Sequence, residues 1–248
     1  MIETTRDNFL GGQATVLQPA GGFRSGLDAV MLAASVPAGP GQQILELGAG
    51  CGVASLCLAA RVRDCFITGV EIDADLVALA VENARTNGTD DRLGFHVADA
   101  LALPTSLKRE FDHVFSNPPF HHASGQRSPN EARSRAKHDL ENLGAWMVEG
   151  LKRVAPGGTF TMISRADRLR ELVIQAPETG LALFPLWPRK DEPAGRVILQ
   201  LRKGSQSPSV LLPGLVLHES DGRYTVEADA VLRGTAALTP LSREASER

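Results

Sequence analysis

Short apolar runs alternate with longer segments of helical periodicity through the middle of the chain. The apolar runs predict strands, at residues 44–47, 66–70, 94–97, Phe111–Ser116 and 159–163. The segments between and after them have apolar residues at helical spacing, at Val53–Arg61, 73–87, 140–154 and 167–175. This alternation predicts βαβ units and a mainly parallel sheet.

The first 43 residues follow a different pattern, because glycine and proline interrupt them repeatedly. Residues 14–18 predict a short strand. Leu27–Ser35 is apolar and follows Ser25, which favours a short helix with Ser25 as its cap.

The C-terminal part of the chain predicts antiparallel structure. Leu181–Trp187 and Arg196–Arg202 are predicted strands, joined by a loop rich in proline and glycine, and they form a hairpin that closes the sheet. Residues 210–217 and 223–226 predict a second, small hairpin around Asp221-Gly222. The last ten residues predict a frayed tail.

The predicted fold is α/β, with a mostly parallel seven-stranded sheet, helices on both faces and an antiparallel C-terminal hairpin. We expect residues 1–43 to form an extension that packs on a central domain at 44–204. Residues 205–248 are expected to form a hairpin and tail.

Composition says more about the cellular compartment of the protein than about any reaction it catalyses. The formal net charge is −3, so contact with nucleic acid has to come from a local basic patch. The three cysteines, Cys51, Cys57 and Cys65, have no metal-ligand spacing and favour neither disulfides nor a zinc site. With a polar N-terminus and no long apolar stretch, these features favour a reduced, cytoplasmic protein away from membranes.

A glycine-rich loop follows the first strand of the alternating region. Glu46-Leu-Gly48-Ala-Gly50-Cys-Gly52 opens a helix, and glycines there let a backbone turn tightly and approach a ligand closely. A dinucleotide-binding loop requires glycine at the position of Val53, so the motif favours another cofactor.

Two acidic residues at the ends of the next strands sharpen this interpretation. Glu71 lies 23 residues beyond Gly48, where a carboxylate can accept hydrogen bonds from both ribose hydroxyls. Asp99 can accept from an adenine amino group, with the Ala100 N–H facing a ring nitrogen. Either acid alone is as well explained as an ordinary turn residue, but all three features occur in order on consecutive strands.

The segment Asn117-Pro118-Pro119-Phe120 follows the fourth strand of this region. Two prolines stiffen the loop and leave its carbonyls free to accept hydrogen bonds. The Asn117 side-chain oxygen and the Pro118 carbonyl can each accept one N–H of a planar amino group, which aligns its lone pair for attack. Phe120 can stack on a base. The motif specifies a planar nitrogen and leaves adenine, guanine and glutamine open.

The loop and the two acids resemble the Rossmann-like S-adenosylmethionine-dependent methyltransferases, in which cofactor binds at the carboxyl ends of these strands. The flanking segments are similar to the bacterial tRNA1(Val) adenine N6-methyltransferase family over roughly residues 7–235. The matching segments are residues 7–12, 16–19, 22–24, 28–33, 136–139, 189–190, 193–194, 196–198 and 202–204.

The resemblance implies a methyltransferase domain at 44–204, S-adenosylmethionine as cofactor and adenine N6 of tRNA as acceptor. The cofactor residues expected on this basis are Glu46, Gly48, Ala49, Gly50, Gly52, Glu71, Ile72, Asp99, Ala100 and Asn117. The expected catalytic residues are Asn117, Pro118, Pro119 and Phe120. The expected substrate-binding residues are Phe23, Arg24, Arg133, Lys137, Arg196 and Lys203. No metal is expected.

The sequence also allows other methyl acceptors, and it allows a protein without enzymatic activity. His121 and His122 follow Phe120, and Asn-Pro-Pro-Phe-His resembles ribosomal RNA guanine N2-methyltransferases. A protein glutamine N5-methyltransferase is a further alternative, although 43 residues are too few for the helical domain usual in that family. A cofactor-binding, RNA-binding protein without activity is the non-enzyme alternative. The basic residues Arg189, Lys190, Arg196, Arg202 and Lys203 are expected to cluster near the last predicted hairpin.

Overall fold

The computed structural model describes residues 3–22, 24–119 and 143–238. Two strands precede the first helix: β1 at Thr4–Phe9 and β2 at Ala14–Pro19, which pair antiparallel with each other. Polar residues fill most of β1, and the sequence pattern did not predict it. The first helix, α1 at Leu27–Ser35, matches its prediction, but its N-cap is Gly26 and the predicted Ser25 cap is wrong.

The central elements alternate as predicted. They are β3 Gln43–Leu47, α2 Val53–Arg61, β4 Phe66–Glu71, α3 Ala74–Thr86, β5 Leu93–Val97, β6 Phe111–Ser116, α4 Leu143–Arg153, β7 Val154–Arg165, α5 Leu169–Gln175, β8 Leu181–Trp187 and β9 Arg196–Arg202. Three short elements follow: β10 Val210–Leu211, β11 Leu215–Val216 and α6 Val226–Leu232.

The main sheet has the strand order β10-β8-β9-β7-β6-β3-β4-β5, and β11 also pairs with β8. Strands β3 to β7 are parallel, whereas β9 runs antiparallel to both β7 and β8. The predicted seven long strands and the antiparallel β8–β9 hairpin are therefore confirmed. Because β3 to β6 run parallel, the loops that follow them meet at one edge of the sheet.

The apolar core lies on both faces of this sheet. On one face Ile44 and Ile67 pack with residues of α1, α2 and α3. On the other, Leu45 and Leu47 pack with α4, including the buried Trp146. Successive residues of β3 face opposite sides, as the pleat of a strand requires, and the predicted helices on both faces are confirmed.

The predicted second hairpin is wrong for residues 210–216 but right at its turn. Strands β10 and β11 both pair parallel with β8. Around Asp221-Gly222 the described backbone forms a single antiparallel bridge between His218 and Tyr224. The chain then enters α6, because the Thr225 hydroxyl accepts the Ala228 N–H at 3.1 Å and caps the helix.

No helix in the described ranges has the length and apolar character needed to cross a membrane.

Two strand glycines give a test of this packing. A Cβ on Gly69 in β4 meets the Phe95 ring at 2.5 Å and the Ala49 Cβ at 3.0 Å. We expect Gly69→Ala to lower the free energy of unfolding by about 1–3 kcal/mol, because the crowded core has to shift. Equilibrium urea unfolding measures this.

Gly94→Ala in the neighbouring strand is the matched control. Its Cβ has one neighbour within 4 Å, the His96 ring at 3.8 Å, so we expect a change within about 0.5 kcal/mol. Equal destabilisation by the two substitutions would contradict the packing described for β4.

Candidate cofactor and acceptor site

A cavity of about 200 Å³ lies at the carboxyl edge of β3 to β6. Each of these strands, or the loop after it, contributes to the wall. The lining residues are Gly48, Gly50, Glu71, Ile72, Leu76, Asp99, Ala100, Asn117, Pro119 and Trp146. The structure thus brings together seven of the ten residues expected to bind cofactor, and one further residue of the Asn-Pro-Pro-Phe segment.

The glycine loop takes a shape that requires glycine at two positions on the cavity wall. Gly48 has a φ of +73°, and a Cβ there lies 2.9 Å from the Trp146 ring. Gly50 has a φ of +54°, and a Cβ there meets no protein atom within 4 Å. A side chain at Gly48 is therefore excluded by packing, whereas Gly50 leaves open space beside the cavity for a ligand.

Glu71, the last residue of β4, is held by backbone N–H groups. One carboxylate oxygen accepts the Gly50 N–H at 3.0 Å, and the other accepts the Asp73 N–H at 3.1 Å. Each oxygen keeps further capacity to accept, and the side chain lines the cavity. The arrangement fixes two carboxylate oxygens on the cavity wall, and such oxygens are the type of acceptor that a ribose diol pairs with.

The wall beyond Glu71 combines apolar surface with a second acid. Ile72 and Leu76 line the cavity beside the buried Ala100. Asp99 fixes its own turn, since its Oδ1 accepts the Leu101 N–H at 2.8 Å. An aromatic ring with an exocyclic amino group matches this combination of apolar sides and a carboxylate.

Asn117 leaves an acceptor without a partner. Its Oδ1 is buried and makes no hydrogen bond within the described residues, although a buried, unpaired oxygen costs about 1–3 kcal/mol. The preceding residue is firmly held, because the Ser116 hydroxyl donates to the Leu47 carbonyl at 2.9 Å. Pro118 is buried and Pro119 lines the cavity. Phe120, His121 and His122 lie outside the described residues.

The residues that line the cavity fit S-adenosylmethionine. Glu71 and Asp99 supply carboxylate acceptors, Ile72 and Leu76 supply apolar surface, and the glycine loop forms part of the wall, which together are the groups that a nucleoside pairs with. The unpaired oxygen of Asn117 lies in the same wall, where a donor from a second ligand can satisfy it.

Three expected cofactor residues lie behind this wall. Ala49 and Gly52 pack inward, since a Cβ on Gly52 lies 2.9 Å from the Phe95 ring. Glu46 is only 2% exposed and accepts a hydrogen bond from the Ser55 hydroxyl. Burial raises the pKa of the Glu46 carboxyl to about 8, the charge of Glu71 adds to the rise, and the Ser55 hydrogen bond opposes it.

Leu76 and Trp146 belong to the cavity but were not expected. Trp146 projects from α4, is 1% exposed and lies beside Gly48. The helix predicted at residues 140–154 includes Trp146, but helical periodicity does not show which loop a buried helix face meets. Leu76 lies in the first turn of α3, close in sequence to Glu71, and this proximity was the available signal.

The expected substrate residues do not form one group. Arg24 forms an ion pair with Asp7 at 2.5 Å, and Arg196 with Asp28 at 2.9 Å. Lys203 lies at the opposite end of β9 from Arg196, roughly 20 Å away for a strand of this length, and donates to the Val154 carbonyl at 2.6 Å.

The expected basic cluster near the last hairpin is therefore wrong. Arg202 and Lys203 lie at the amino edge of the parallel strands, opposite the cavity, because β9 runs antiparallel to β7. Phe23, Arg133 and Lys137 lie outside the described residues. Within the described residues no three histidine, cysteine, aspartate or glutamate side chains converge as a metal site.

The buried carboxyl of Glu46 gives a pH-dependent prediction. Its pKa is about 8 in the folded chain against an ordinary 4.5, so the folded state holds the proton more tightly than the unfolded state. The stabilisation is complete below about pH 4.5 and is lost as the pH rises through about 8. The free energy of unfolding of Glu46→Gln minus that of the unsubstituted chain should increase by more than about 1 kcal/mol when the pH rises from 5 to 8.5.

Paired urea unfolding curves at the two pH values measure this difference, and contributions from other titrating groups cancel in the comparison. A constant difference between the two proteins would show that Glu46 is ionised when folded.

Comparison with known proteins agrees with this reading. The methyltransferase small domain family matches residues 18–154, more than half of the chain. A tRNA1(Val) (adenine(37)-N6)-methyltransferase of Dickeya chrysanthemi is 28% identical over 225 residues, covering 85% of this chain and 87% of that protein. One of Dyadobacter fermentans is 29% identical over 219 residues, covering 85% and 88%.

Solved structures share the fold. A predicted O-methyltransferase from Agrobacterium tumefaciens has a TM-score of 0.73 at 24% identity, over 87% of this chain and all of that one. A Thermus thermophilus 16S rRNA N2 G1207 methyltransferase, solved with AdoMet and guanosine, has a TM-score of 0.56 at 21% identity, over 81% and 50%. The Rossmann-like methyltransferase fold and the class of enzyme predicted from the sequence are confirmed, and the chain belongs to the methyltransferase small domain family.

Proposed function

We propose that this chain uses S-adenosylmethionine to methylate the N6 amino group of adenine in tRNA. The observation that carries the proposal is the buried, unpaired Oδ1 of Asn117 in the wall of the cavity that Glu71 and Asp99 also line. A site for cofactor and an acceptor for a planar amine then occupy one edge of the sheet. The same geometry can bind any planar amine. The choice of adenine as the acceptor base therefore rests on a separate argument.

The choice of adenine in tRNA is supported by relatives. Proteins named tRNA1(Val) (adenine(37)-N6)-methyltransferase match this chain over four fifths or more of its length and of theirs. Since the alignments extend far beyond the glycine loop that many methyltransferases share, they support a common substrate as well as a common fold.

The proposed chemistry begins with alignment of the amine. Its lone pair is delocalised into the ring, which makes it a weak nucleophile. Asn117 Oδ1 accepts one amino N–H and the Pro118 carbonyl accepts the other, so that the nitrogen moves toward tetrahedral geometry and its lone pair points at the methyl group. When bound, S-adenosylmethionine supplies an electrophilic methyl group on a sulfonium centre.

The remaining groups hold and shield the reactants. Glu71 binds the ribose hydroxyls, and Asp99 with Ile72 positions the adenine of the cofactor. The nitrogen held by Asn117 and the Pro118 carbonyl would accept the methyl group that bound S-adenosylmethionine supplies, and a neutral thioether would be the leaving group. The nitrogen then loses one proton, which needs no strong base because the methylated amine is acidic until that proton has left.

The substrate assignment is tested with tritiated S-adenosylmethionine and four acceptors. Unmodified tRNA, ribosomal RNA, duplex DNA and a release factor are each incubated with the purified protein, and modified nucleosides are identified by mass spectrometry. We expect N6-methyladenosine in tRNA1(Val) alone.

A tRNA1(Val) transcript with guanine in place of adenine 37, the position in the name of the Dickeya chrysanthemi relative, is the matched control and should stay unlabelled. If N2-methylguanosine appeared in ribosomal RNA, or label appeared in the release factor, the assigned acceptor would be guanine or glutamine and not adenine.

The role of Asn117 is tested by separating binding from transfer. We expect Asn117→Ala to lower kcat by about 10²–10³-fold, as the loss of one preorganised acceptor does. The dissociation constant for S-adenosylhomocysteine, measured by calorimetry, should change by less than about threefold, a free energy under 1 kcal/mol. A large loss of affinity would assign Asn117 to the cofactor instead.

Glu71→Ala should give the opposite result, with weaker cofactor binding and a kcat that recovers at saturating cofactor. Asp75→Ala is the control for removal of an acid, because Asp75 is exposed in the first turn of α3 and is absent from the cavity wall.

A further inference from the structure

Asn83 in α3 and Asn87, the C-cap residue of that helix, pair with β2 as a neighbouring strand would. Asn83 Oδ1 accepts the Leu17 N–H at 2.7 Å, and Asn83 Nδ2 donates to the Leu17 carbonyl at 2.9 Å. One helical turn later, Asn87 makes the same two bonds to Thr15, at 2.9 and 2.7 Å. Since β1 pairs with the other edge of β2, the two amides satisfy the backbone groups that β1 leaves unpaired.

The third hydrogen bond distinguishes the two side chains. Asn83 Nδ2 also donates to the Cys51 carbonyl at 2.9 Å, whereas Asn87 Nδ2 donates back to the Asn83 carbonyl at 2.7 Å. Asn83 is 0% exposed, and these contacts use its acceptor and both of its donors. Asn83 therefore links the N-terminal hairpin to the glycine loop, whereas the side chain of Asn87 bonds to the hairpin and to its own helix but not to the loop.

The Cys51 carbonyl depends on this side chain. Gly52 is the N-cap of α2, and the helical ladder begins where the Leu56 N–H donates to the Gly52 carbonyl. The Cys51 carbonyl precedes that ladder. Cys51 also lies between Gly50 and Gly52, which both have positive φ, and peptides flanked by glycine rotate at little steric cost. Besides the loop's own bond from the Gly52 N–H to the Ala49 carbonyl at 2.9 Å, contacts from outside then restrict its conformation.

The segment held by Asn83 is adjacent to the one that holds Glu71. Gly50, directly before Cys51, donates its N–H to the Glu71 carboxylate. Rotation of the backbone at residues 50–52 would move that N–H and release one side of the carboxylate. One of the two backbone contacts that order Glu71 on the cavity wall is thus adjacent to the bond that Asn83 makes to Cys51.

We propose that Asn83 is a positioning residue for cofactor binding, which fixes the glycine loop through the Cys51 carbonyl and so keeps Glu71 directed at the ligand. The identity of the ligand, S-adenosylmethionine, rests on the proposed function, but the effect on the loop does not. Asn83 also fixes β2, whose Gln18 accepts the Ser25 N–H at 2.9 Å, so the segment around Arg24 is tied to the same loop.

Asn83→Ala and Asn87→Ala form a matched pair, because each removes one amide that binds one residue of β2. Hydrogen–deuterium exchange of a peptide covering residues 46–56 is measured on the ligand-free proteins. Calorimetry then gives the dissociation constant for S-adenosylhomocysteine, at a temperature where both variants are fully folded by circular dichroism.

For Asn83→Ala we expect loop exchange and the dissociation constant to rise about tenfold each, the size of one lost hydrogen bond. For Asn87→Ala both quantities should stay within about twofold of the unsubstituted protein, because a structural anchor alone does not move them.

Equal effects of the two substitutions would overturn the proposal and leave Asn83 as an anchor for the hairpin. If Asn83→Ala does not fold, Asn83→Asp keeps the shape and the acceptor but loses both amide donors, and the same two increases are expected. Failure of the unsubstituted protein to bind S-adenosylhomocysteine would count against the proposed function, while loop exchange would still report on Asn83.

Discussion

The last two residues of β4 hold three successive N–H groups of the glycine loop. The Val70 carbonyl accepts from Gly48 and from Ala49, both at 2.9 Å, and the Glu71 carboxylate accepts from Gly50. This contact joins the carboxyl ends of β3 and β4, and it turns the chain from β3 into α2. The cavity, the direction of Glu71 and the start of α2 all depend on it. Its geometry is available only because glycine occupies positions 48 and 50.

Local patterns predicted the central fold well, because strand and helix periodicity come from the residues of each element itself. The seven long strands and their helices follow from such patterns. Apart from the Ser25 cap, the errors are nonlocal. Strands β10 and β11 were interpreted as part of one hairpin, but both add to β8, a strand more than 20 residues earlier in the chain. The polar β1 is stabilised by its pairing with β2, which no periodicity within Thr4–Phe9 reveals.

The sequence likewise predicted the part of the candidate site that local motifs determine. Motif order identified Glu71, Asp99 and Asn117, since parallel strands bring the residues after them to one edge. It did not show which side chains of the loop face inward. The pleat of β3 directs Glu46 away from Leu45 and Leu47, toward Ser55, and only the packed structure shows that Trp146 closes the cavity. Arg196 and Lys203 lie at opposite ends of the extended strand β9, and its antiparallel direction places Lys203 at the edge of the sheet opposite the cavity.

The unpaired oxygen of Asn117 has a consequence for ligand design. A cofactor analogue that carries an amine on a short tether can place one donor on that oxygen while its nucleoside occupies the wall formed by Glu71 and Asp99. Nucleoside recognition is common to many proteins of this fold, so an analogue that stops there has little basis for discrimination. The tethered donor adds a contact that depends on a buried acceptor at this one position, and selectivity among fold relatives would then come from the acceptor half of the molecule.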